Sequence, residues 1–205
     1  MSYKRIGKQF ANPHGFLGRL FCKIMNIINK KMYKSIVKEI VANESSTILD
    51  VGYGNGYLLN LIYKKYKCNL SGIEVSPDVE KLAYSRNKKA IKEGKIKLMQ
   101  CDCCDMPFES KTFDCVTSVN TIYFWQDTEK GLSEIYRVLK DNGVFYNAVY
   151  NKKWLQKLPY TKEYFKFFTK DDYISLGKKI GFSSIEVVDI KKDKNYLVIF
   201  KKGIK

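Results

Sequence analysis

The spacing of hydrophobic residues changes character near residue 46. Before that point, two stretches place apolar side chains three and four positions apart, which is typical of amphipathic helices. The first pattern comprises Leu17, Leu20, Phe21, Ile24 and Ile28. The second comprises Tyr33, Ile36, Val37, Ile40 and Val41. Both predict N-terminal helices with one apolar face.

From residue 46 onward, short β-rich runs alternate with helical patterns. The runs are TILDV, NLSGIEV, KIKLMQC, FDCVTSV and GVFYNAVY. The helical patterns cover residues 57–65, 77–92 and 128–139. Such alternation is typical of βαβ units around a parallel sheet, so the sequence predicts an α/β fold.

The C-terminal part follows a different pattern. Thr169 and Asp172 predict the start of a helix through reciprocal capping, and Gly181 predicts its end. Two further β-rich runs, SIEVVDI and YLVIF, are separated only by KKDKN, which is too short for a helical crossover. We therefore expect an antiparallel hairpin. With neither an internal repeat nor a linker, we expect a single domain over residues 1–205.

A glycine-rich turn is the strongest local signal for a ligand. The first β-rich run has an acid, Asp50, near its end. Three alternate glycines, Gly52, Gly54 and Gly56, follow the run. Glycines allow sharp turns close to a ligand, and the following helix offers free N–H groups, so we expect a nucleotide-like ligand. A dinucleotide turn needs a small residue where Tyr57 or Leu59 stands, and no G-K-[ST] follows for a Walker A site.

Asp50 and G-x-G-x-G resemble the first motif of class I S-adenosylmethionine-dependent methyltransferases. GIEVS around Glu74 and CDCCDMPF at 101–108 resemble later motifs, the second similar to G-D-A-x-x-L-P-F. The resemblance covers about residues 44–202, through NTIYFW, SEIYRVLKDNGVF and the GF at 181–182. Within the family, the chain is most similar to the ubiquinone/menaquinone-biosynthesis C-methyltransferases, which are small-molecule enzymes.

The resemblance implies a three-layer Rossmann-like methyltransferase fold. Its seven-stranded sheet is mostly parallel, with order 3-2-1-4-5-7-6 and strand 7 antiparallel, in agreement with the expected terminal hairpin. The two predicted N-terminal helices are additional to this fold. We expect residues 1–43 to form a helical lid over the carboxyl edge of the sheet and residues 44–205 to form the Rossmann-like core.

The resemblance also implies the cofactor, S-adenosyl-L-methionine, with S-adenosyl-L-homocysteine as product. It implies that Glu74 holds the ribose, Val75 packs on the adenine, Asp102 takes the adenine amino group and the backbone of Cys103 faces the ring. The predicted cofactor-binding residues are Asp50, Gly52, Tyr53, Gly54, Asn55, Gly56, Glu74, Val75, Asp102, Cys103 and Asn120.

The loop after the fourth predicted strand indicates where the acceptor binds. Asn120 and Tyr123 have the N-x-x-Y spacing of the N-P-P-Y loop in amino-methylating family members, but both prolines are absent. We favour the milder interpretation, in which Asn120 lies near the methionine moiety and Tyr123, Phe124 and Trp125 wall the substrate pocket. A dedicated base is required only for an acceptor with a high pKa. The predicted residues for proton removal or orientation are His14, Tyr123 and Tyr150.

The charge keeps a second class of acceptor open. The formal net charge is +16, and residues 1–40 hold nine Lys or Arg against one Glu, which would attract an anionic partner. Arginine, whose guanidinium group commonly binds phosphate through two hydrogen bonds, is scarce: the chain has only Arg5, Arg19, Arg86 and Arg137. We favour a small-molecule acceptor over N-methylation of RNA or protein, and over a non-catalytic cofactor-binding module.

The cysteines bear on metal binding and on the compartment. Cys101 and Cys104 form a C-x-x-C, but a second pair is missing and His14 is the only histidine, so we predict no metal site and no arsenic-binding thiol trap. Six cysteines in such a chain favour reduced thiols. With no apolar stretch long enough for a membrane span and no secretory signal, we expect a cytoplasmic protein.

Overall fold

The computed structural model describes residues 24–204 and Gly7. Seven strands form one sheet: β1 Thr47–Val51, β2 Asn69–Glu74, β3 Ile96–Gln100, β4 Phe113–Val119, β5 Leu139–Tyr150, β6 Ser184–Lys191 and β7 Asn195–Lys201. Their order is β3-β2-β1-β4-β5-β7-β6, and β7 runs antiparallel to both of its neighbours. The predicted sheet order, the antiparallel seventh strand and the terminal hairpin are therefore confirmed.

Helices cover both faces of this sheet. They are α1 Lys30–Glu39, α2 Tyr57–Tyr66, α3 Pro77–Lys92, α4 Thr128–Val138, α5 Lys152–Gln156 and α6 Lys170–Ile180, with 3-10 turns at Ile122–Phe124 and Pro159–Thr161. Helix α2 packs against α1 and α3, whereas α4 packs against α6. Right-handed crossovers place these two groups on opposite faces, which gives the predicted three layers.

The last helix begins and ends as its sequence predicts. Thr169 Oγ1 accepts a hydrogen bond from Asp172 N at 3.1 Å, and the Asp172 carboxylate accepts one from Thr169 N at 2.7 Å. Gly181 ends α6 in the left-handed conformation, with φ 107°. Local capping chemistry alone therefore fixes both ends of this helix.

The junction between α4 and β5 differs from the prediction. The helix expected over residues 128–139 ends at Val138, because Leu139 adopts an extended conformation with ψ 136° and pairs with Phe113 of β4. Strand β5 consequently begins at residue 139 rather than 143. Asn142 lies in the left-handed region, and the strand pairing is irregular before it continues at Val144.

The predicted N-terminal patterns are described only in part. Leu17, Leu20 and Phe21 lie outside the described residues, whereas residues 24–28 form a helical segment. In α1, Ile36 is fully buried, as expected of an apolar face. Val41 is 95% exposed, so its assignment to this face was wrong: Ile40 adopts an extended conformation, which ends the helical spacing.

The sheet topology creates a crevice for a ligand. Strand β1 lies between β2 and β4, where the strand order reverses, and ligands of open α/β sheets bind at the carboxyl ends of strands at such a point. All but the first residue of β1 are buried. Across the described part of the chain, no helix is long and apolar enough to cross a membrane.

Candidate functional site

A cavity of about 680 Å³ opens at the carboxyl ends of β1, β2 and β4. Its volume lies within the roughly 300–1,000 Å³ of small-molecule sites. Of the predicted site residues that the structure describes, all but Gly56 line it. The cofactor residues and the aromatic residues predicted for the acceptor thus share one cavity. His14 lies outside the described residues.

The three glycines after β1 all adopt positive φ angles of 73°, 51° and 69°, but their surroundings differ. A Cβ on Gly52 would lie 2.3 Å from Thr121 Cγ2, and one on Gly56 would lie 2.5 Å from Asn87 Nδ2. A Cβ on Gly54 would meet no protein atom within 4 Å. Gly52 and Gly56 therefore permit close packing, whereas Gly54 borders open cavity.

Glu74, the last residue of β2, is hydrogen bonded to the glycine turn. Its Oε2 accepts from Gly54 N at 3.0 Å, and its Oε1 accepts from Val75 N at 2.9 Å and Ser76 N at 3.1 Å. A carboxylate has about four lone-pair sites, so one remains on Oε2 for a ligand hydroxyl. Burial raises the pKa of Glu74, and the three N–H bonds oppose that shift.

Asp50, near the end of β1, is a second acidic group in this cavity. Its side chain is only 3% exposed, and Oδ1 accepts a hydrogen bond from Thr117 Oγ1 at 2.8 Å. Burial raises the pKa of Asp50 to about 7, with nearby Glu74 adding to the shift and the Thr117 bond opposing it. A cationic ligand would therefore favour the carboxylate form of Asp50.

Asp102 and its neighbouring cysteines form the loop after β3. Asp102 Oδ1 accepts a hydrogen bond from Cys104 N at 2.8 Å, which turns the chain sharply at the cavity wall. The ligand atoms of Asp102, Cys103 and Cys104 lie within 4.8 Å of one another. Burial raises the pKa of Cys103 far above its usual range, which favours the protonated thiol in the unliganded cavity.

Asn120 follows β4 in a left-handed conformation, with φ 59°. Its N–H donates to the Ala148 carbonyl at 3.0 Å, and its Oδ1 accepts from the Tyr123 hydroxyl at 3.2 Å. The N-x-x-Y spacing therefore brings these two side chains into contact without either proline. A non-glycine residue held in this region at a cavity wall is typical of a functional turn.

The two tyrosines predicted for proton removal or orientation are buried and hydrogen bonded. Tyr123 is buried, and its hydroxyl accepts a hydrogen bond from Tyr150 N. Burial raises the pKa of Tyr123 well above its usual value and that of Tyr150 to about 12. The Tyr150 hydroxyl donates to Asn29 Oδ1 at 3.1 Å. The raised pKa values favour the protonated hydroxyls at neutral pH, which suits orientation of an acceptor more than proton removal.

Sequence reasoning missed one wall of the cavity. The segment between β5 and α6 contributes Trp154, Leu155, Leu158, Tyr160 and Phe165, and the β6–β7 turn contributes Lys194. The segment has no periodic pattern, but its density of aromatic residues beside the end of a parallel strand was an available signal. Met25, Ile28 and Asn29 complete the wall from the N-terminal side.

Comparison with known proteins assigns the chain to a family. A family model described as "Methyltransferase domain" matches residues 49–147, which hold β1, the glycine turn, Glu74 and Asp102. The relative named "Putative methyltransferase YrhH", of Bacillus subtilis (strain 168), is 31% identical over 123 residues, or 60% of this chain and 67% of YrhH. The chain belongs to the class I S-adenosylmethionine-dependent methyltransferases.

Other methyltransferases extend this comparison. The chain is 31% identical over 143 residues to the chloroplastic 2-methyl-6-phytyl-1,4-hydroquinone methyltransferase 2 of Oryza sativa subsp. japonica, covering 68% of this chain but 40% of that one. It is 29% identical over 156 residues to the ubiquinone/menaquinone biosynthesis C-methyltransferase UbiE of Citrifermentans bemidjiense, covering 75% and 63%. The chain thus spans less than half the length of the rice relative.

A solved structure shows the same fold. The complex between the Haloferax volcanii Trm112 methyltransferase activator and a methyltransferase matches with a TM-score of 0.78 and 19% identity. The match covers 91% of this chain and 95% of the other. The predicted resemblance to UbiE-like methyltransferases is therefore confirmed in family and in fold.

Gly54→Ala tests whether the open space at this glycine belongs to the cofactor. We expect the variant to fold, since the new Cβ meets no protein atom, but to bind S-adenosylmethionine at least about tenfold more weakly, measured by calorimetry. Gly94→Ala is the matched control, because Gly94 also has positive φ and no neighbour within 4 Å but lies outside the cavity. Equal affinity in both variants would refute the placement.

Asp50 predicts a pH dependence of cofactor affinity. Its pKa near 7 means that the ligand-free carboxyl holds a proton in acid, and a cationic cofactor must displace that proton. Affinity for S-adenosylmethionine should fall as pH drops below about 7, by up to about tenfold per pH unit. The Asp50→Asn variant should bind S-adenosylmethionine weakly, and its affinity should depend less on pH. That result would assign the pH dependence to Asp50 rather than to Glu74. A flat wild-type profile between pH 8 and 5.5 would contradict this role.

Proposed function

We propose that this protein transfers a methyl group from S-adenosylmethionine to a small, largely apolar acceptor. The observation that carries the proposal is the single cavity that joins the Gly54–Glu74 edge to a compartment walled by aromatic side chains. The cofactor supplies a methyl group already activated on a sulfonium. The protein then has to bind the cofactor and the acceptor, align the acceptor with the methyl group and exclude water from the cavity.

The cofactor end of the cavity fits an adenosyl ligand. Glu74 keeps one lone-pair site for a ribose hydroxyl, and Val75, which is 46% exposed, offers an apolar surface for the adenine. Asp102 lies at the same wall, where its carboxylate can accept from an exocyclic amino group. Asp50 provides the negative charge that suits a cationic methionine moiety.

The acceptor end fits a flat or apolar molecule. Phe124 packs edge-on against Phe165, with ring centroids 4.6 Å apart, and Trp125 is held by a bond from Nε1 to Thr121 Oγ1 at 3.1 Å. These rigid walls can align an acceptor with the methyl group. Because Tyr123 and Tyr150 stay protonated, we assign them to orientation. His14 stays a prediction for proton removal, needed only by an acceptor of high pKa.

Small-molecule acceptors are also favoured by the named relatives, which act on hydroquinones and on ubiquinone or menaquinone precursors according to their names. The wall formed by the β5–α6 segment is apolar and aromatic, unlike a phosphate-binding groove.

We further propose that the protein works in the cytoplasm. All five cysteines of the described residues are free thiols, as expected in a reducing compartment.

The class of acceptor can be tested directly. Tritium-labelled S-adenosylmethionine is incubated with the protein and, separately, with the solvent-extractable small molecules, the RNA and the protein of a lysate. We expect label in the solvent-extractable fraction. At cofactor concentrations below saturation, Glu74→Ala should reduce transfer about tenfold to 100-fold, since it removes a charge-assisted hydrogen bond and the support of the glycine turn.

Glu80→Ala is the matched control for Glu74→Ala. Glu80 is an exposed carboxylate of α3, one turn from the helix start and outside the cavity, so its removal should leave transfer unchanged. Label in the RNA or protein fraction would overturn the proposed acceptor class. Absence of label from every fraction would overturn methyl transfer itself.

We propose that, within the lid predicted over residues 1–43, residues 24–29 belong to the lid and α1 belongs to the core. Met25, Ile28 and Asn29 line the cavity, whereas Met32 and Ile36 of α1 are fully buried in the core. Helix α1 therefore supports the sheet. The chain departs from regular helical geometry at Asn29, with ψ 3°, which marks the boundary between residues 24–28 and α1.

Hydrogen exchange tests this division. Peptides covering residues 24–28 should gain protection when S-adenosylhomocysteine binds, because closing the cavity would exclude water from their backbone. Peptides within residues 32–39 should be protected with or without the ligand. If residues 52–56 gain protection while 24–28 do not change, the N-terminal segment is scaffold rather than lid.

A further inference from the structure

The charges along the cavity wall are distributed unevenly. Three acidic residues, Asp50, Glu74 and Asp102, lie at the cofactor end. Lys194 is the one cationic residue among the described residues of the lining. It comes from the turn between β6 and β7, which shares the acceptor end with Tyr150 and Trp154. A single positive charge therefore lies among apolar and aromatic side chains.

The fold holds Lys194 at this position. Its carbonyl accepts a hydrogen bond from Asn151 N at 2.8 Å, and its own N–H donates to Lys191 O at 3.0 Å. Asn151 in turn caps α5, since its Oδ1 accepts from Lys153 N at 2.7 Å. The turn that carries Lys194 and the helix that carries Trp154 are thus joined through Asn151.

The ammonium group of Lys194 rests on aromatic faces. Its Nζ lies 4.6 Å from the ring centroid of Trp154 and 6.0 Å from that of Tyr150. Cation–π contacts of this kind orient a lysine without using its N–H donors. The side chain is half-buried, whereas Lys192 of the same turn and Lys191 at the end of β6 are exposed.

Several other lysines of the described chain, whether exposed or partly buried, use their ammonium groups on protein acceptors. Lys166 Nζ donates to the carbonyls of Trp125 and Gln126 at 2.7 and 2.9 Å, and Lys140 pairs with Asp114 at 2.8 Å. No carboxylate among the described residues lies within 4.0 Å of Lys194 Nζ. Its donors therefore stay available to a molecule in the cavity.

We propose that Lys194 binds an oxyanion on the methyl acceptor, so that the acceptor is an apolar or aromatic molecule carrying one negatively charged oxygen group. This inference rests on the proposed function, since it assigns the aromatic end of the cavity to the acceptor. Lys194 then acts in specificity and positioning, with no proton transfer.

A pair of fluorescent probes separates the charge from the shape of the site. 8-Anilino-1-naphthalenesulfonate carries one oxyanion, and N-phenyl-1-naphthylamine has the same ring system without it. We expect saturable one-to-one binding of the sulfonate to the wild type with S-adenosylhomocysteine present. Lys194→Met should weaken the sulfonate about tenfold or more and change the neutral probe by less than about twofold.

Lys192→Met is the matched control, because it removes a charge from the same turn at an exposed position. It should leave both probes unchanged, and Lys194→Arg should restore part of the sulfonate affinity. The proposal is overturned if the wild type shows no saturable sulfonate binding or if Lys194→Met leaves that affinity intact. It is also overturned if Lys194→Met weakens both probes equally, since Lys194 would then only shape the pocket.

Cofactor calorimetry on the same preparations separates this inference from the proposed function. Lys194→Met should bind S-adenosylmethionine with wild-type affinity, because Lys194 lies away from the acidic end of the cavity. If the wild type itself fails to bind S-adenosylmethionine, the proposed function fails. In that case, binding of the two probes is measured without S-adenosylhomocysteine, and it still shows whether Lys194 binds an anionic group.

Discussion

The site depends on one carboxylate that joins two strand ends. Glu74 ends β2 and accepts hydrogen bonds from the backbone of Gly54 after β1 and from Val75 and Ser76 after its own strand. These bonds hold the glycine turn in its left-handed course across the cavity. Since buried backbone donors are costly to leave without partners, Glu74 is structural support for the turn as well as an acceptor for a ligand.

Burial gives the acidic residues of this cavity their chemistry. Asp50 is buried and Glu74 is partly buried, so the pKa of each is raised and each carboxylate gains from a positive or hydrogen-bond-donating ligand. The opposite end carries a single ammonium group on aromatic faces. The cavity therefore has acidic groups at one end and the ammonium group of Lys194 at the other.

The sequence predicted much of the fold because the relevant signals are local. Alternating periodicities gave the strands, and the capping pair Thr169 and Asp172 gave the start of α6. The glycine turn could also be predicted from local sequence. The close packing of Gly52 and Gly56 could not, because it depends on Thr121 and Asn87, which are distant in sequence. Strand β5 begins earlier than expected because its first residues pair with β4.

The acceptor wall could not be predicted by the same means. Trp154 and Lys194 are 40 residues apart, and a short helix, a cap at Asn151 and a hairpin turn together bring them into contact. None of these features has a long periodic pattern. Tyr123 was predicted at the pocket from its spacing to Asn120, but its burial, which keeps the hydroxyl protonated, became visible only in three dimensions.

A crystal structure with S-adenosylhomocysteine bound tests the central claim, that Glu74 connects the glycine turn to the cofactor. It should show at least one ribose hydroxyl oxygen within about 3.2 Å of Glu74 Oε2, while Gly54 N still donates to the same carboxylate. The account is contradicted if the ligand binds elsewhere, or if its ribose lies in this cavity without contacting Glu74.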